Sequence, residues 1–186
     1  MIDPPGDPNE LDLDTLRGVL QIDPRPGAKK FQGVWLATDD GERFVLDYRE
    51  RLLWTPFDGS VVAVTGEHYS PSGQAIHAQH FRVQQLRFID RPSRARELVG
   101  FGPERALRGA FVSESAPRGS KLEGSSMMFF RCDDGAQYAL FGIEAGAGIA
   151  IDTPVHVKAR EVELNRAWAA SVGGPHLWVA SARRDR

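Results

Sequence analysis

Val34-Trp35-Leu36-Ala37-Thr38-Asp39-Asp40-Gly41-Glu42-Arg43-Phe44-Val45-Leu46-Asp47 reads as two β-favouring runs around a turn. Met128-Phe129-Phe130-Arg131-Cys132-Asp133-Asp134-Gly135-Ala136-Gln137-Tyr138-Ala139-Leu140-Phe141 repeats the arrangement. Glycine accepts the positive φ that a two-residue hairpin turn demands and aspartate tolerates it, so each Asp-Gly predicts such a hairpin. In the outgoing runs the larger apolar residues recur every second position, as Phe44, Leu46 and Tyr48 and as Tyr138 and Leu140. That period gives each hairpin one core-facing side.

Working outward, the likeness extends in both directions. Leu16-Arg17-Gly18 precedes the first hairpin and Leu107-Arg108-Gly109 the second; Lys30-Phe31-Gln32-Gly33 is matched by Lys121-Leu122-Glu123-Gly124. Downstream, Val62-Ala63-Val64 is matched by Val155-His156-Val157, and His80-Phe81-Arg82-Val83 by His176-Leu177-Trp178-Val179. The offset is 91 at Leu16/Leu107, 94 at Asp39/Asp133 and 96 at His80/His176. Small loop insertions produce such a drift while keeping the order, so the pattern predicts an internal duplication of a small domain.

Each copy offers five strand candidates. In the first they are Leu16 to Ile22, the two hairpin runs, Ser60 to Tyr69 and Ile76 to Leu86. In the second they are Leu107 to Ser113, the hairpin runs, Pro154 to Leu164 and His176 to Ser181. Short helical turns are expected only around Glu50–Trp54 and Leu164–Ala170. Five short strands closing on themselves solve the edge-strand problem. The order of features resembles the OB-fold: a first strand with a bend glycine (Gly18), a lysine-bearing loop, the Asp-Asp-Gly hairpin, a short connector, the fourth strand Val62-Ala63-Val64-Thr65-Gly66 and a closing strand. The second copy departs from it, with Ala159 in place of the fourth-strand glycine and Gly142 to Gly148 replacing the connector. The resemblance implies an all-β chain of two tandem five-stranded OB-like antiparallel barrels. An SH3-like barrel or one pseudo-symmetric sandwich is the alternative.

The organisation expected is an acidic N-terminal segment at 1–14, a first barrel at 15–89, a linker at 90–104, a second barrel at 105–182 and a basic tail at 183–186. Residues 1–14 hold Asp3, Asp7, Glu10, Asp12 and Asp14 with no Lys or Arg, and Asp90-Arg91-Pro92-Ser93-Arg94-Ala95-Arg96 is polar and broken by proline. With 41% hydrophobic and 26% charged residues among 186, the composition excludes disorder and fibre. There is no apolar run of the ~18 residues a membrane span needs. The opening Met1-Ile2-Asp3-Pro4-Pro5-Gly6 lacks signal-peptide character, so a cytoplasmic setting is expected.

Templates for chemistry find little purchase. His77 and His80, three apart on a strand, point to opposite faces, and Cys132 is the only cysteine, so no metal site is expected. Asp39, Asp40, Asp133 and Asp134 are accounted for by turns rather than a calcium loop. No GKS, GKT or GxSxG motif occurs, and Cys132 reads as a buried small side chain with no base beside it. No cofactor is expected.

One set of residues suits a ligand face. On an OB-type barrel, Lys29, Lys30, Trp35 and Arg43 in the first copy and Lys121, Phe129 and Arg131 in the second combine aromatic rings with cations, which suits stacking bases and pairing phosphates. Barrel core is the competing reading of Trp35 and Phe129, and it is favoured because each small barrel needs several large apolar residues. The leading functional expectation is a non-catalytic binding protein that engages a protein partner, with a homodimer through an edge strand as one form. Single-stranded nucleic acid is the second reading, opposed by a net charge of −2. An enzyme with a site between the barrels, drawing on Glu67, His68, Glu161 and His176, is the third.

Overall fold

The structure is a computed structural model that describes residues 13–22, 33–48, 51–73, 76–90, 97–116, 118–119, 123–144 and 150–185. Among them run ten strands: β1 (Asp14–Ile22), β2 (Val34–Thr38), β3 (Arg43–Asp47), β4 (Val61–Tyr69), β5 (Gln79–Phe88), β6 (Leu98–Ser115), β7 (Ser126–Cys132), β8 (Gln137–Ile143), β9 (Pro154–Leu164) and β10 (His176–Arg184). Two short helices, α1 (Arg51–Trp54) and α2 (Arg166–Val172), and a 3₁₀ turn at Thr55–Phe57 complete the elements. The chain is all-β. No helix among the described residues is long and apolar enough to cross a membrane.

β3, β2, β1, β4 and β5 are neighbours in that order, and β5 pairs back onto β3, closing a five-stranded barrel. Within it the backbones of β1 and β2 approach closely at Gly18, where a Cβ would stand 2.2 Å from the Ala37 carbonyl oxygen of β2. Gly109 of β6 is pressed the same way against β7, where a Cβ would stand 2.0 Å from the Arg131 carbonyl oxygen. Strands β6 to β10 lie beyond the barrel, linked by the pairings β6–β7, β7–β8, β8–β10, β10–β9 and β6–β9.

The turn differs from the two-residue form expected. The Thr38 carbonyl accepts from the Gly41 amide at 3.1 Å and the Thr38 amide donates to the Glu42 carbonyl at 3.0 Å, so the loop is Asp39-Asp40-Gly41. Only the glycine has positive φ, +89°; neither aspartate does, and a two-residue type I′ turn needs both central residues there. The Asp40 carboxylate instead accepts from the Thr38 hydroxyl, a bond that holds its carboxyl below the usual range. The second hairpin is built alike, with Gly135 at +90° donating to the Cys132 carbonyl at 3.0 Å and Cys132 donating to Ala136 at 2.8 Å.

Two apolar clusters hold the structure. Leu20, Leu36, Phe44, Val62, Val64 and Phe81 fill the closed barrel, and Phe111, Phe130, Val155, Val157, Leu177 and Val179 pack together among β6 to β10. The first cluster also takes in Leu98, Phe101 and Val162. Thus Leu98–Glu104, within the span expected as polar linker, is the first part of β6, and Leu86↔Phe101 and Arg87↔Gly100 join it to β5. The reason is apolar burial: Phe101 meets Trp54 edge-on at 4.8 Å and Phe57 at 5.6 Å, closing the base of the barrel. Residues 91–96 of that span, and 1–12 of the acidic segment, lie outside the described residues, whereas Asp14 opens β1 and Arg183 and Arg184 of the expected tail end β10.

Candidate binding surfaces

Strand alternation decides where Trp35 and Phe129 go. In β2, Val34 and Leu36 are buried inward, which turns Trp35 to the outer face; in β7, Phe130 is fully buried and Phe129 points the other way, half-buried. The expectation that these two rings are barrel core is therefore corrected, since Leu36 and Phe130 fill that role. The Arg43 guanidinium lies 4.7 Å from the Trp35 ring centre and donates to Gln21 at 3.2 Å, so the predicted Trp35 and Arg43 do meet. Arg131 shares the outer face of β7 with Phe129 but is held by Glu114 at 2.7 Å and Gln137 at 3.3 Å. Lys29, Lys30 and Lys121 lie outside the described residues.

A second surface is one that sequence reasoning missed. β3 and β5 run parallel and, among the described residues, pair at Phe44↔Gln79 and Val45↔His80. Beyond that point they part, and the opening is a cleft of about 460 Å³ lined by Leu46, Asp47, Tyr48, Tyr69, Arg82, Val83, Gln84, Glu104, Lys158 and Arg160. Its volume falls in the range of ligand pockets. Arg160 reaches in from β9, only 6% exposed, and donates to the Val83 carbonyl at 3.3 Å and the Gly102 carbonyl at 3.0 Å while lying over the Phe101 ring. Lys158 pairs with Glu104 at 3.3 Å, and Arg82 pairs with Glu67 at 2.6 Å and lies over Tyr69 at 4.9 Å.

A second parallel seam, between β8 and β10, is zipped, pairing at Ala139↔His176, Leu140↔Leu177, Gly142↔Trp178 and Ile143↔Val179. The Trp178 ring lies directly on Gly142, where a Cβ would be 2.2 Å away. A bare backbone at 142 is what lets the indole seal that seam. At the opened seam Tyr48 stands instead, its hydroxyl bonded to His80 Nε2 and receiving the Ile76 amide at 3.3 Å.

His80 is nearly fully buried, and its tautomer follows from its partners. The Ala78 carbonyl, 2.9 Å from Nδ1, can only accept, so Nδ1 carries the proton and Nε2 accepts from the Tyr48 hydroxyl. His176 is equally buried and bonded to the Gly174 backbone, but among the described residues its Nε2 has no hydrogen-bond partner. Burial pushes its pKa down, opposed by the Gly174 bond.

The four residues considered for an inter-barrel enzyme site are engaged separately. Glu67 pairs with Arg82, His68 stands 3.5 Å from Asp14, and Glu161 pairs with Arg105 at 2.5 Å and accepts from the Tyr138 hydroxyl at 3.3 Å, while His176 is buried against β8 and β9. The Cys132 thiol is buried, and that burial together with Asp134 raises its pKa, which disfavours the thiolate. Among the described residues no group of three or more His, Cys, Asp or Glu is placed to hold a metal ion. No family model, no curated protein and no solved structure matches the chain.

Proposed function

We propose that this chain is a non-catalytic binding module of two OB-like barrels, descended from one duplicated unit, which engages a protein partner in the cytoplasm. The duplication is supported by equivalent residues in equivalent registers. Gly18 stands opposite Thr38 and Val62, as Gly109 does opposite Cys132 and Val155. Across the closing seam, the row Trp35, Val45, His80 is answered by Phe129, Ala139, His176.

The protein-partner reading is carried by the way surface cations are neutralised. Arg82 with Glu67, Arg87 with Glu163, Arg105 with Glu161, Arg108 with Asp185 and Arg131 with Glu114 all lie within 2.9 Å. Such pairs add little stability. They do break up the concentrated cationic footprint that phosphate backbones require. Tyrosine, tryptophan and arginine at the surface are the side chains that protein interfaces favour.

The test has two arms on the purified full chain. A labelled single-stranded oligonucleotide should show no saturable anisotropy change at low salt. A protein captured from the source cell and identified by mass spectrometry should reconstitute a stoichiometric complex from purified components, read by sedimentation velocity. Tight oligonucleotide binding that weakens steeply with salt refutes the reading.

A further inference from the structure

We propose that the Asp134-Gly135 peptide is a site of spontaneous isoaspartate formation, and that its counterpart Asp40-Gly41 is protected from the same chemistry by the Thr38 hydroxyl.

The reaction needs only water. The amide nitrogen of the following residue attacks Cγ of an aspartic acid; the new C–N bond closes a succinimide ring, and the carboxyl hydroxyl leaves as water with the amide proton. Water then adds to a ring carbonyl. Addition at the former main-chain carbonyl breaks its C–N bond, so the chain now runs through the side chain and is one methylene longer. Glycine hinders the ring closure least, having no side chain.

Both Asp-Gly pairs are exposed, and their nucleophiles are matched. The Gly41 amide donates to the Thr38 carbonyl at 3.1 Å and the Gly135 amide to the Cys132 carbonyl at 3.0 Å, with φ of +89° and +90°. The carboxyl groups differ. Asp40 accepts from the Thr38 hydroxyl and from the Glu42 amide at 3.4 Å, and the same hydroxyl lies 3.1 Å from the Glu42 carbonyl. A carboxylate held this way stays ionised, whereas ring closure consumes the neutral acid, and the Thr38 bond does keep the Asp40 carboxyl below the usual range. The hydroxyl also pins the side chain that must swing toward the amide nitrogen. Asp134 accepts from the Ala136 amide at 3.0 Å. In its loop the place of Thr38 is taken by Cys132, a buried thiol and a weak donor, which among the described residues makes no hydrogen bond to Asp134. The remaining anchors, Arg17 on Asp39 at 3.9 Å and Arg108 on Asp133 at 3.3 Å, act one residue earlier and on neither reacting carboxyl. The added methylene would fall in the loop that sets the Arg131↔Gln137 rung of β7 and β8.

The experiment incubates the full chain in mildly acidic buffer and follows isoaspartate at each site by peptide mapping with electron-transfer fragmentation. Asp134 is expected to convert about threefold to tenfold faster than Asp40, the ratio that one hydrogen bond of ordinary net strength gives. In denaturant the two rates should become equal. Thr38→Val should raise the Asp40 rate to that of Asp134, Thr38→Ser should keep it slow, and Cys132→Thr should slow Asp134. Amide exchange at Gly41 is measured in Thr38→Val alongside: an unchanged exchange rate supports the carboxylate latch, and a rise in step with isomerisation assigns the effect to a loosened turn and overturns it. Equal rates at the two sites in the folded chain, no conversion at Asp134, or a difference that persists in denaturant also overturns the proposal.

Discussion

The carboxylate of Glu144 accepts from the Leu52 amide at 2.9 Å and, with the same oxygen, from the Leu53 amide at 3.2 Å. A residue just past the end of β8 thereby satisfies amides of the single-turn helix α1 that lie 92 and 91 residues away. Such amides at a helix start have no intrahelical partner, and a carboxylate there answers both the hydrogen bonds and the helix dipole. Because α1 leads into Trp54, buried against Phe101, this contact fixes how the closed barrel meets β6. Glu144→Ala is expected to cost about 1–2 kcal/mol in urea unfolding, with Glu144→Gln recovering part of it. An unchanged midpoint for Glu144→Ala contradicts the assignment.

Glycine substitutions separate backbone strain from steric conflict. A Cβ at Gly41 or Gly135 meets nothing within 4 Å, so Gly41→Val and Gly135→Val are penalised only through the positive φ, by about 1 kcal/mol or more. At Gly18 a Cβ collides with backbone, and Gly18→Ala should cost about 3 kcal/mol, at the upper end of overpacking. Thermal melts should rank Gly18→Ala as the more damaging; the reverse order removes the close β1–β2 approach from the account of the barrel.

Tyr48→Phe leaves the buried Nε2 of His80 without its partner, reproducing the condition of His176 Nε2. The expected loss is about 1–3 kcal/mol, mainly the desolvation penalty of that buried nitrogen, with the part-buried Ile76 amide losing its acceptor as well. Denaturant titration checks it, and His80→Phe combined with Tyr48→Phe should recover part of the loss because the orphaned ring nitrogen is then gone.

The pH dependence follows from His176, whose burial favours the neutral imidazole in the folded state. The unfolded chain binds a proton more readily, so stability is full above the ordinary histidine value of about 6.5 and falls as pH drops below it. Asp40 and Asp185, held below the usual carboxylate range by bonds from Thr38 and His156, act separately at more acidic pH, where the unfolded carboxylates take up protons first. His176→Phe should flatten the stability profile between about pH 7 and pH 5; an unchanged slope there locates the effect elsewhere.

The turn glycines were legible because each depends on residues close in sequence. Turn type was not, since Asp-Asp-Gly serves a two-residue or a three-residue loop, and the choice rests on φ at Asp40. Alternation could not orient β2 or β7 either: Val34-Trp35-Leu36 and Met128-Phe129-Phe130 are apolar throughout, so parity names two faces without saying which is inside. The polar stretch 90–96 masked the role of Leu98 and Phe101, whose burial is decided by Trp54 and Phe57 across the junction. The cleft was the least readable feature. It exists because β3 ends before β5 does and because Arg160 meets Val83 from 77 positions away, and no local pattern reports either fact.

The most direct test of the account is a nuclear Overhauser map of cross-strand contacts in the isotope-labelled full chain. The account predicts two parallel seams at matching places, seen as Val45–His80 and Ala139–His176 contacts, together with Gly18–Thr38 and Gly109–Cys132 contacts across the antiparallel ladders. A map with one seam present and the other absent, or with the second set displaced by one residue, contradicts two copies of one barrel.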